Sequence, residues 1–184
     1  MNRKTTPILL AVVIAMGVLA FLSERTRIQS ASRPSAGAAP TILTITEDDL
    51  QRVRVKRDYW NTYTLTRVPD GSWRLTDPSD EPAAEPAVRR MVAALTALPT
   101  LSTMDLPAND SERHREYGLW KPVLELTVTT LNGDETLIFG TGTADGAGVY
   151  CARAGRDKVF VTSRDALQAL SQDLSAFRQE KSQP

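Results

Sequence analysis

The stretch from Leu119 to Thr162 constrains this chain most, because its alternation and turn chemistry fit an antiparallel sheet and little else. Within it, Leu124, Leu126 and Val128 share one face of a strand spanning 123–130. Glu125, Thr127 and Thr129 share the other. Asn132-Gly133 predicts a two-residue hairpin loop, which would set the register of a returning strand from Asp134 to Phe139. Val149 to Arg153 and Lys158 to Thr162 are expected to pair across Ala154-Gly155-Arg156-Asp157.

Before that meander the pattern is mixed. Thr41 to Ile45 reads as a short strand, followed by a polar turn or a single helical turn from Thr46 to Leu50. Gln51 to Arg57 alternates, with Val53 and Val55 facing inward and Arg52, Arg54 and Lys56 outward. Asn61 to Val68 and Ser72 to Thr76 predict a hairpin across Pro69-Asp70-Gly71, with Trp73 as a core aromatic. Pro86 suits the first turn of a helix whose apolar stripe is Val88, Met91, Val92, Leu95 and Leu98, ended by Pro99. Arg89 and Arg90 fall on its solvent side. Leu101 to Leu106 fits a strand, and Pro107 to Glu116 a polar loop with a short helix from Asp110. Ser163 caps a closing helix that carries Leu167, Leu170, Leu174 and Phe177. Seven or so strands with two amphipathic helices, not alternating with the strands, give an α+β fold with a mostly antiparallel β-meander sheet.

The amino end is of another kind. Arg3 and Lys4 precede an uncharged apolar run from Ile8 to Leu22, and Glu24, Arg25 and Arg27 follow it. As a helix, about 15 residues reach about 22 Å, and flanking polar residues extend this towards the ~30 Å of a bilayer core. An uncleaved N-terminal transmembrane helix and a cleaved secretory signal both fit. Charged residues where cleavage would need small ones favour the anchor. The expected organisation is an anchor over 1–23, a small-residue linker over 24–40 and one domain over 41–181. Both patterns deliver the domain across a membrane, and a short tail leading a long translocated domain keeps the amino end cytoplasmic. The formal net charge is zero, but the 22 basic and 22 acidic residues divide unevenly. Five basic residues and one acidic residue lie before position 34, which leaves a domain of about −4. A mildly acidic domain is a poor match for nucleic acid.

Reactive chemistry is sparse. His114 is the sole histidine and sits among Arg113, Arg115 and Glu116, as a surface residue would. Cys151 is the sole cysteine, which excludes an intrachain disulfide and leaves no zinc-ligand spacing. Gly140-Thr-Gly142-Thr-Ala-Asp-Gly146-Ala-Gly148 invites comparison with a phosphate cradle. A strand rather than a helix follows it, so a mobile hairpin loop is the better account. The stripe Arg52, Arg54 and Lys56 reads either as an anion or headgroup site or as a solvated strand face, the blander reading being favoured. Tyr59, Trp60 and Trp120 could form apolar platforms for a ligand or simply pack. No catalytic, cofactor-binding or metal residue is nominated.

The run Tyr117-Gly118-Leu119, two residues, then Pro122 before an alternating strand resembles the bacterial family of domain of unknown function 4340. The order around it is similar too. Gly71-Ser-Trp73-Arg-Leu75 with Pro78 precedes a small-residue helix. Val149-Tyr150 and Val159-Phe160-Val161 form strands, and Leu174 to Arg178 closes the domain. The likeness runs over residues 41–180. It implies a bacterial envelope protein, of a kind sometimes linked to ABC-type transport, with no established activity and no site residues to carry over. Many members have the unit repeated, whereas this chain has one copy. The resulting expectation is a non-enzymatic interaction module. It would be held in the inner membrane by residues 8–22 and would meet an envelope or transporter protein through the sheet edge or the loops at 107–116 and 140–148.

Overall fold

The computed structural model describes residues 40–57, 61–107 and 109–179. The expected membrane segment and nearly all of the linker lie outside these residues, as do Tyr59 and Trp60. Among the described residues no helix is long and apolar enough to cross a membrane.

Nine strands form one antiparallel sheet, in the order β4-β3-β2-β1-β6-β7-β8-β9-β5. They are β1 (Leu50–Lys56), β2 (Thr62–Arg67), β3 (Trp73–Asp77), β4 (Glu81–Pro82), β5 (Ser102–Asp105), β6 (Leu124–Thr130), β7 (Gly133–Gly142), β8 (Val149–Arg153) and β9 (Lys158–Thr162). Two meanders, β1 to β4 and β6 to β9, therefore join back to back. Their seam is β1 against β6, where Val53 faces Val128 and Val55 faces Leu126. The fold is α+β with an antiparallel sheet, as the alternation requires.

Helix α1 (Glu85–Thr96) follows β4 at one edge, and the chain after it forms β5 at the opposite edge. In crossing the sheet, α1 buries Ala87, Val88, Met91, Val92 and Leu95 against it. Pro86 stands in its first turn, where no intrahelical N–H is needed. Among the described residues two further α-helices follow α1: α2 (Ser111–Glu116) and α3 (Arg164–Leu170). Asp110 caps α2 by accepting from the Arg113 N–H, and Ser163 caps α3 by accepting from the Ala166 N–H.

Four local expectations need correction. Thr41 to Ile45 is not a strand. It is a strap whose Thr41 bridges Pro99 and whose Ile42 N–H donates to the Leu98 carbonyl, burying Ile42 and Leu43. The closing helix is not continuous. It ends at Leu170, and a 3-10 turn, Leu174–Phe177, resumes the apolar spacing. The break is held by Tyr63, whose hydroxyl donates to the Gln172 carbonyl at 2.8 Å, and by the ion pair of Arg57 with Asp173. Phe177 is thereby fully buried, 5.2 Å from the Tyr63 ring. Among the described residues the strands number nine and the α-helices three, rather than seven or so and two.

The β6–β7 turn differs as well. Thr130 pairs with Gly133, so the two loop residues are Leu131 and Asn132. Gly133 carries the positive φ of 123°, and Asn132 does not share it. An Asn-Gly loop of the mirror-image type needs both residues at positive φ. Here the Thr130 hydroxyl accepts from the Asn132 N–H and donates to the Gly133 carbonyl. That side chain steers the turn one residue early. The shift changes the register by two and leaves every side chain on its expected face.

Candidate functional site

The two faces of the sheet are covered unequally. One face carries the main core, with Val53, Val55, Leu65, Leu75, Leu126 and Phe139 under α1, α3 and the 3-10 turn. Among the described residues, the other face is covered only over β7, β8, β9 and β5. There Leu106, Leu119 and Val159 form a second cluster, with Tyr117, Ile138 and Tyr150 packed on it.

The family-like Tyr117-Gly118-Leu119 run holds that second layer down. Its backbone passes directly over β7, where the Thr141 N–H donates to the Tyr117 carbonyl at 2.9 Å. A Cβ on Gly140 would lie 1.9 Å from that carbonyl oxygen. Gly118 takes φ +70° at the crossing, and a Cβ there would meet Thr141 at 2.6 Å. Tyr117 stacks on Tyr150 with centroids 4.4 Å apart. The motif is therefore an architectural clasp. Trp120, just past it, is 65 % exposed and has the Arg115 guanidinium 5.6 Å from its ring centroid. A ring so exposed is not walled into a pocket, and its company is a cation.

Among the described residues nothing covers the second face over β3, β2, β1 and β6. Its centre is the basic stripe on β1, and the register places hydroxyls on both sides of it. Arg52 lies between Thr66 and Thr129, Arg54 between Thr64 and Thr127, and Lys56 between Thr62 and Glu125. Further hydroxyls extend the rows, with Thr66 to Thr76 at 3.0 Å and Thr127 to Thr136 at 3.2 Å. Lys56 is paired with Glu125 at 3.4 Å. Arg52 and Arg54 are exposed and have no ion-pair partner among the described residues. A shallow concavity of about 480 Å³ lies over Arg52, Arg54, Thr64, Thr66, Thr76 and Asp77. The sequence showed the stripe. The hydroxyl rows beside it were missed, because nothing local announces which strands flank β1.

A second concavity, about 510 Å³, lies between α1 and the start of β3, with Trp73, Val88, Val92 and Glu47 among its lining. Trp73 is thus at the rim of the core, half-buried and bordering this groove, rather than inside it.

The residues weighed for reactive chemistry are dispersed. His114 lies in α2, its Nδ1 2.7 Å from the Asp110 carbonyl oxygen. Cys151 is buried mid-strand in the main core, and burial pushes its thiol well above the ordinary range, so it is a packing group. The glycine loop closes on itself. Thr143 and Gly148 exchange hydrogen bonds, and Asp145 accepts from the Thr143 hydroxyl at 2.6 Å and from the Ala147 N–H at 3.0 Å. Those bonds hold the Asp145 carboxyl below its usual value, the Thr143 hydroxyl contributing most. A carboxylate in that position would repel a phosphate. No group of three or more potential metal ligands occurs among the described residues.

No curated protein and no solved structure matches the chain. One family model does, over residues 73–182, from the first residue of β3 to past the 3-10 turn. The match leaves β1 and β2 outside it, so it is shorter than the resemblance over 41–180. It still spans more than half of the 184 residues, and the chain belongs to the family described as Domain of unknown function (DUF4340).

Proposed function

We propose that this chain is a non-enzymatic interaction module of the bacterial envelope. Residues 8–22 tether it to the inner membrane, and the folded domain stands in the periplasm. There it serves another envelope or transporter protein as an accessory subunit, in the manner of an auxiliary to an ABC-type transport system. The observation that carries this reading is the half-covered sheet face. One half is roofed by the Tyr117–Leu119 clasp, while the other offers an ordered surface with two arginines that have no ion-pair partner among the described residues. A rigid sheet face presents such groups at fixed spacing, which specific association requires. Cross-linking in intact cells followed by mass spectrometry tests the reading, and recovery of no reproducible protein partner overturns it.

A second reading, binding of a small solute, lipid or cell-wall fragment, draws on the groove beside Trp73 rather than on Trp120. Mass spectrometry of the native protein from its own membranes would then reveal a co-purifying small molecule, displaced when Trp73 is replaced by alanine. An envelope hydrolase is the least supported reading. His114 would be its base, and an unchanged cellular phenotype for His114→Ala removes it.

A further inference from the structure

The open half of the sheet carries a more specific message. Arg52 and Arg54 project from one strand to one side, about 7 Å apart along it. Each is bracketed by a threonine on the neighbouring strands, so two cations stand in a trough of hydroxyls. The same spacing of about 7 Å separates alternate side chains of an extended chain. The cations belong to a domain that is acidic as a whole, so they are a local reversal of sign rather than part of a general basic surface.

We infer that this face docks an extended acidic segment of the partner protein, its alternate carboxylates meeting Arg52 and Arg54. Arginine suits the task because its planar fork grips a carboxylate through two parallel hydrogen bonds. Thr64, Thr66, Thr127 and Thr129 supply hydroxyls that can donate to or accept from the segment between its carboxylates. Glu125 neutralises Lys56 and marks one end of the trough, so the recognised segment is short. A membrane surface fits less well. A plane of anionic headgroups would press on Asp77 and Glu125 as well as on the arginines. Nucleic acid would need more than two free cations.

This inference rests on the interaction-module reading, and one pair of experiments separates the two. The full chain is placed in neutral-lipid nanodiscs and titrated against a fluorescent ten-residue glutamate peptide, read by anisotropy. Binding is expected for the natural sequence, weakening as salt is raised. The double variant Arg52→Gln/Arg54→Gln should lose at least about tenfold in affinity. The equal-charge control Arg89→Gln/Arg90→Gln, on the solvent side of α1, should lose none. Equal losses in both variants, or no loss in either, overturn the inference. So does displacement of the peptide by glycerol 3-phosphate at the peptide's own concentration, which would make the site a headgroup site. In cells, the cross-linked partner should vanish with Arg52→Gln/Arg54→Gln. A partner recovered unchanged from that variant overturns the docking face alone, whereas no partner from the natural chain overturns the module itself.

Discussion

Replacing Gly140 by alanine is the sharpest perturbation this fold offers. The new Cβ would stand 1.9 Å from the Tyr117 carbonyl oxygen, 3.0 Å from its carbonyl carbon and 3.2 Å from the Gly118 carbonyl carbon. A carbon and a carbonyl oxygen come no closer than about 3.3 Å even in favourable contacts, so the clasp must lift by more than an ångström. All three obstacles are backbone, and no rotamer change relieves them. Lifting the clasp stretches the Thr141-to-Tyr117 hydrogen bond beyond use, at about 1 kcal/mol. It also loosens Leu119 and Tyr117 from the second cluster, within the ~1–3 kcal/mol range of overpacking. Together these predict a loss of about 2–4 kcal/mol. Gly142→Ala is the matched control two residues along β7. Its Cβ meets chiefly the Arg164 guanidinium at 2.7 Å, the free end of a flexible side chain that can swing away. It should cost less than about 1 kcal/mol, since surface substitutions that avoid such obstacles seldom cost more. Urea unfolding followed by tryptophan fluorescence measures both. Equal losses, or a loss for Gly140→Ala below about 1 kcal/mol, would refute the clasp as a rigid contact.

Four further outcomes test other parts of the structure. Tyr63→Phe keeps the ring on Phe177 but removes the hydroxyl that donates to the Gln172 carbonyl, so it should cost about 1 kcal/mol in the same unfolding assay. Phe177→Ala, which empties a fully buried site, should cost about 3–5 kcal/mol, and a smaller loss than for Tyr63→Phe would contradict the packing described. The glycine loop should be sensitive to acid. Asp145 titrates below the ordinary carboxyl value of 3.8, so its contribution is complete above 3.8 and disappears as pH falls through its folded value. Amide chemical shifts of Ala147 and Gly148 should therefore hold from pH 7 to about 4 and move only below that. Cys151 should resist an aromatic disulfide reagent at pH 8 in the folded protein and react at once in urea, and ready reaction without urea would show that β8 opens.

The faces and the punctuation are legible in the residues themselves. Val53 and Val55 against Arg52 and Arg54, or Leu124, Leu126 and Val128 against Glu125 and Thr127, declare inside and outside through a period of two. Pro86, Asp110 and Ser163 mark helix starts by backbone chemistry that acts within one turn. The order of Trp73, Tyr117-Gly118-Leu119 and the closing Leu174 to Arg178 was enough to suggest the family, and the family match bears it out. These are local properties, or the order of local properties, and sequence carries them well.

What tertiary structure decided were the neighbours. Alternation tells a strand which way its side chains point and nothing of which strand lies beside it. Only the pairing of β1 with β6, more than seventy positions away, turned a basic stripe into two arginines set among threonines. Thr41 to Ile45 has the composition of a strand, yet it is claimed by Leu98 and Pro99 before any sheet edge can reach it. Leu167 to Phe177 has one helical spacing, but Tyr63, from β2, captures the Gln172 carbonyl and interrupts it. Gly140 was read as part of a flexible loop and proved to be the place where another backbone crosses. In each case the deciding partner is distant in the chain, and the energy of meeting it exceeds the local preference. The sequence by itself determined what each segment could be, and contacts across the sheet determined which of those possibilities it became.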